Sequence, residues 1–78
     1  MSFVGETTTL NIKTSVGKIF RIFITEQLDG YWVATILYAT NGAIETHNEL
    51  ANSCNEVYRK SVEWTLNNID AKADIDSL

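Results

Sequence analysis

Apolar and polar positions along the first fifty residues fall into four segments, separated by three turn signals. Ser15-Val16-Gly17 divides Thr7–Thr14 from Lys18–Glu26, Asp29-Gly30 divides that segment from Tyr31–Thr40, and Asn41-Gly42 divides the third from Ala43–Asn48. Asp-Gly and Asn-Gly are strong hairpin signals because both central residues of a type I′ turn need positive φ. The segments are rich in Thr, Ile, Val, Phe, Tyr and Trp, which suit a pleated surface. Strands are expected near 7–14, 18–26, 31–40 and 43–48.

The period then changes. Ser53 precedes Glu56 at the spacing of a capping box. Cys54, Val57, Tyr58, Ser61, Val62, Thr65 and Ile69 recur every three or four positions, with Trp64 and Leu66 flanking the stripe. This predicts an amphipathic helix near 53–69, roughly 25 Å long. The tail 70–78 mixes small and acidic residues and is expected to fray. The expected architecture is α+β: a four-stranded antiparallel meander followed by one C-terminal helix packed on one face, in a single domain spanning 1–78.

Ile19–Ile24 and Tyr31–Ala39 are apolar on both sides, so both sheet faces ask for cover. One helix covers one face. With Asp29-Gly30 as a two-residue loop, Ile24 opposes Thr35 and Ile22 opposes Leu37. The face meeting the helix then carries Phe20, Ile22, Ile24, Leu28, Tyr31, Val33, Leu37 and Ala39, with Glu26 and Thr35 as polar exceptions. Ile44 and Thr46 join it. The opposite face carries Ile19, Arg21, Phe23, Trp32, Ala34, Ile36 and Tyr38, joined by Glu45, His47 and Glu49. In the first hairpin, a three-residue loop with left-handed Gly17 places Leu10 and Ile12 in the core, whereas a two-residue loop flips both. The three-residue loop supplies the core. The expected protein interface is Phe23, Trp32, Ile36 and Tyr38 with Arg21, Glu45 and His47, because contiguous apolar patches mark contact surfaces.

Charge narrows the partner. The chain has 78 residues and a net charge of −4. Residues 1–42 balance Glu6, Glu26 and Asp29 against Lys13, Lys18 and Arg21, so the excess acid lies in residues 43–78. With no basic run, nucleic acid is disfavoured as the main partner. An acidic half suits a basic protein, through steering by opposite potentials. A single cysteine, Cys54, excludes an intrachain disulfide framework and fits a reducing, cytoplasmic compartment. The N-terminus lacks a basic start and apolar run, so no signal peptide is expected. No apolar run is long enough to span a bilayer.

Candidate chemistry is sparse. There is no phosphate-binding glycine loop and no zinc spacing. A Cys54–His47 nucleophile pair would need the two adjacent, and they are expected to point apart. Glu45, His47 and Glu49 share a strand face and could hold a divalent metal, although charges on an edge strand also deter edge-to-edge pairing. The expectation is no enzyme, no cofactor and no metal.

Ile19-Phe-Arg-Ile-Phe-Ile-Thr25, Asp29-Gly30-Tyr31-Trp32-Val33-Ala34, a third strand and the helix Ser53-Cys-Asn-Glu56-Val-Tyr-Arg-Lys-Ser-Val62 together resemble the N-terminal domain of HicB-type antitoxins over residues 18–69. The first strand lies outside the resemblance, and Leu37–Gly42 replaces the family's proline- and cysteine-containing turn. The resemblance implies a small acidic protein that oligomerises through a sheet and binds another protein. The functional expectation is a non-enzymatic interaction module, homodimeric through its sheet, that inhibits or occludes a larger nucleic-acid-handling protein. The alternatives are a single-stranded nucleic-acid-binding sheet, with Phe23, Trp32 and Tyr38 stacking bases, and a small metal-binding or enzymatic domain.

Overall fold

A computed structural model describes residues 7–78. The N-terminal segment read for a leader falls partly outside this range. The fold is α+β, with an antiparallel sheet and one helix after the four long strands. These are β1 (Thr7–Lys13), β2 (Ile19–Glu26), β3 (Trp32–Thr40) and β4 (Ala43–Ala51), followed by α1 (Cys54–Asn68) and a short β5 (Asp74–Ile75). The strand order across the sheet is β4-β3-β2-β1-β5.

Each hairpin has a local cause. In the first, the Thr14 N–H donates to the Lys18 carbonyl and the Gly17 N–H to the Thr14 carbonyl. Gly17 takes φ +88°, so the loop has three residues and Leu10 and Ile12 point inward. Asn41 and Gly42 both take positive φ and close a two-residue turn in which Thr40 opposes Ala43.

The middle hairpin differs from expectation. Glu26 opposes Trp32, the Gln27 N–H donates to the Tyr31 carbonyl, and the Gly30 N–H donates to the Gln27 carbonyl. Gly30 takes φ +86°. Leu28-Asp29-Gly30 is therefore a three-residue loop. The extra residue shifts the register by one, so Ile22 opposes Ile36 and Ile24 opposes Ala34. A shift of one turns every side chain of the strand to the other face. Because β4 hangs on β3, it turns too.

The core therefore contains Leu10, Ile12, Ile22, Ile24, Ala34, Ile36 and Val57. Trp32 and Tyr38, expected on the uncovered face, pack against this core, as do Phe20, Cys54, Tyr58, Trp64 and Ile69. Val33, Leu37, Ala39, Ile44 and Thr46, expected beneath the helix, lie on the other side.

The helix begins at Ser53, whose side chain accepts the Glu56 N–H at 3.2 Å. It buries Val57, Ser61 and Thr65 completely. The two hydroxyls donate within the helix, Ser61 to the Tyr58 carbonyl and Thr65 to the Ser61 carbonyl, so these small side chains sit on the sheet without an unmet polar group.

The tail, expected to fray, is docked on the sheet. Ile75 opposes Ile12 across β5 and β1, Asp76 accepts the Asn11 N–H on Oδ2, and the Tyr58 hydroxyl donates to the Asp76 carbonyl. The segment after the helix therefore covers the end of the core that α1 leaves open and pairs part of the β1 edge. β4 likewise runs beyond Asn48, because Glu49, Leu50 and Ala51 pair with Ala34, Val33 and Trp32.

Candidate functional site

The register divides the seven expected interface residues between the faces. Arg21 and Phe23 lie on the uncovered side, whereas Trp32, Ile36, Tyr38, Glu45 and His47 lie on the helix side. Ile36 is fully buried between Ile22 and His47. Its expected accessibility followed from the two-residue loop and is corrected with it.

The uncovered face can be laid out from the pairings. One end row is Thr7, Thr25, Val33 and Leu50; the next is Thr9, Phe23, Thr35 and Asn48; the third is Asn11, Arg21, Leu37 and Thr46. The same register continued gives Lys13, Ile19, Ala39 and Ile44. Of these sixteen positions seven are apolar and none is a carboxylate. Ile19 is 61% exposed and Ile44 77%. Thr35 donates to Asn48 at 2.7 Å, and the Thr7 and Thr25 hydroxyls lie 3.1 Å apart, so part of the polar content is satisfied within the face. Asp74, opposite Lys13 on β5, stands at its border.

The helix side has different chemistry. The His47 ring stacks on Trp64, with centroids 3.9 Å apart and planes at 8°. His47 Nε2 is hydrogen-bonded to the Glu49 carboxylate at 2.5 Å. Trp64 also meets Tyr38 at 5.4 Å in a tilted pair. Aromatic stacking and a polar anchor thus fix the Trp64 ring. Its packing role was not legible in the helical stripe, which placed Trp64 at the flank. Glu45, His47 and Glu49 share this side, yet among the described residues no three His, Cys, Asp or Glu side chains come together as a metal site. Cys54 is half-buried against the core.

Where the last turn of α1 passes the tips of the first and third hairpins, a cleft of about 600 Å³ opens. Phe20, Tyr38 and Trp64 line it, with Glu45, Asp70 and Lys18 among its polar residues. Asp70 accepts the Ser15 N–H at 2.6 Å, the Ser15 hydroxyl at 2.7 Å and the Lys72 N–H at 2.9 Å. The Ser15 backbone bond, followed by the Lys72 backbone bond and the Ser15 hydroxyl, holds its carboxyl below the ordinary carboxylate range.

No family model, curated protein or solved structure matches the chain. Among the described residues no helix is long and apolar enough to cross a membrane.

Proposed function

We propose that this protein is a non-catalytic binding module that pairs with a second copy through the uncovered sheet face and covers a basic protein partner with its helix side. The observation that carries the reading is the four-strand face of sixteen positions, seven of them apolar and none a carboxylate. Four strands about 4.8 Å apart and seven residues long give a projected area of roughly 460 Å². The accessible area of a corrugated face exceeds its projection, which brings the contact towards the roughly 800 Å² per partner of an ordinary stable interface.

Arg21 does not oppose self-pairing. A two-fold axis between the sheets and along the strands lays Arg21 over Leu37 of the second copy. An axis across the strands lays it over Phe23 of the second copy, a cation–π arrangement. Neither stacks arginine on arginine. The carboxylates Glu45, Glu49, Glu56, Glu63 and Asp70 remain outside the joined faces and favour a basic partner. A base-stacking sheet is less well supported, because Trp32 and Tyr38 pack on the helix side and Phe23 is the one ring among the sixteen positions.

Sedimentation equilibrium tests the pairing. The wild-type chain is expected at twice its monomer mass at tens of micromolar. Phe23→Ser with Leu37→Lys is expected at monomer mass with an unchanged far-ultraviolet circular dichroism spectrum. A wild-type monomer across that range, or a double variant that still pairs, overturns the reading.

A further inference from the structure

The cleft beside the helix end is walled by Phe20, Tyr38 and Trp64, one ring each from β2, β3 and α1. Its volume of about 600 Å³ lies within the roughly 300–1,000 Å³ range of ligand pockets. The rings are half-buried, so each retains accessible surface. Trp64 is stacked on His47 and meets tilted Tyr38, contacts that orient its ring within the wall.

The polar groups give this wall a sign. Glu45 opposes Tyr38 across β4 and β3, is exposed, and forms no ion pair among the described residues. Asp70 adds a second carboxylate, already fixed by Ser15 and Lys72. The last turn of α1 contains no basic residue, so its partial negative charge is not offset from within the helix. Lys18 is the one cation lining the cleft. Ring faces are themselves electronegative. Anions are therefore disfavoured here, and a neutral apolar group would leave Glu45 unused.

We propose that this cleft binds the guanidinium of an arginine side chain presented by a partner protein, stacked on the aromatic wall and hydrogen-bonded to Glu45. Arginine fits better than lysine. Its head is planar, less tightly hydrated, able to stack on rings, and able to grip one carboxylate through two parallel N–H bonds. The inference deepens the basic-partner reading. It depends on that reading for the protein that supplies the arginine, not for the chemistry of the cleft.

The test uses the full chain and N-acetyl-arginine methylamide, followed by ¹H–¹⁵N spectra. The two tryptophan indole N–H signals, assigned with Trp64→Phe, provide a reporter and a control, because Trp32 lies at the opposite end of β3. The Trp64 indole and the Glu45 and Tyr38 amides are expected to shift saturably in the millimolar range while the Trp32 indole stays still. The citrulline derivative, of the same shape without charge, is expected to bind at least tenfold more weakly. Glu45→Gln is expected to weaken the arginine derivative at least threefold with the spectrum otherwise preserved. Equal binding of the citrulline derivative, tighter binding of the lysine derivative, or a silent Trp64 signal overturns the proposal. Repeating the titration on Phe23→Ser/Leu37→Lys separates the two readings. Saturable binding in a monomer upholds the cleft whatever becomes of the pairing, and loss of binding there with the cleft residues intact counts against it.

Discussion

Ile36 and Leu37 are adjacent on β3, both are aliphatic, and the register sends them to opposite faces. Truncating each to alanine therefore measures the face assignment directly. Ile36 is fully buried, with Ile22 and His47 as its strand neighbours. Its truncation removes buried carbon and leaves a cavity beneath the helix, at a cost of about 2–5 kcal/mol. Leu37 is half-buried on an uncovered face and leaves no enclosed void. Partial loss of burial there costs about 1 kcal/mol. A domain of this size has a total stability of about 4–12 kcal/mol, so the first change is a large fraction and the second a small one. Urea unfolding followed by circular dichroism reads the difference. It must be run dilute enough to keep the chain monomeric, because pairing adds concentration-dependent stability. At about 4–8 °C per kcal/mol, Ile36→Ala should lower the melting temperature by about 8 °C or more. Equal losses, or a larger loss at Leu37, would mean that the other side of β3 faces the helix and would undo the placement of Trp32, Tyr38 and the cleft.

Three further outcomes follow from particular contacts. Gly30 has φ +86° with open space around its missing Cβ, so Gly30→Ala should cost about 1–2 kcal/mol through backbone strain alone, seen as a lower urea midpoint. The depressed Asp70 carboxyl contributes stability that is fully present above the unfolded carboxylate value of about 3.9 and is lost as pH falls through the lower folded value. Wild-type stability should therefore drop more steeply below pH 4 than that of Asp70→Asn, and parallel acid titrations would refute this. Removing residues 74–78 deletes β5, the Asn11–Asp76 bonds and the Tyr58 hydrogen bond. Amide exchange at Asn11 should accelerate, and global stability should fall by about 1–3 kcal/mol.

The turn positions, strand periodicity and helix start are legible because each rests on local chemistry: glycine at positive φ, period-two alternation, and serine ahead of an amphipathic stripe. The register of β2 against β3 is not. Asp29-Gly30 can serve as a complete two-residue loop or as the last two residues of a three-residue loop, and glycine suits both. Hydrophobic pattern normally decides such a case. Here it could not, because Trp32, Ala34, Ile36 and Tyr38 form as apolar a row as Val33, Leu37 and Ala39. The first hairpin offered a hint. Ser15-Val16-Gly17 is a three-residue loop ending in left-handed glycine, and Leu28-Asp29-Gly30 repeats that form. A small residue at Ala34 beneath the helix was a second hint, since it permits close approach. The docking of the tail was beyond reach, because a two-residue strand carries no periodicity.

That one loop residue sorts the side chains into two chemically different surfaces. The ambiguous rows of β3 are both apolar, but only one contains large rings. Turning Trp32 and Tyr38 towards the helix leaves the uncovered face with aliphatic and threonine side chains around Phe23 and Arg21, the composition of a sheet that can stack on another. The same rotation carries Glu45, His47 and Glu49 to the helix side, where His47 fixes Trp64 and Glu45 comes to stand beside the aromatic cleft. A pair joined through the uncovered faces would bury Arg21 and leave the carboxylates of the helix side outside the contact. The two clefts would then lie on opposite outer surfaces. A partner offering two suitably spaced arginines could engage both, and the second contact would form at the high effective concentration set by the first. Association of the sheets and recognition of a basic partner would then reinforce each other without any contact between the two sites.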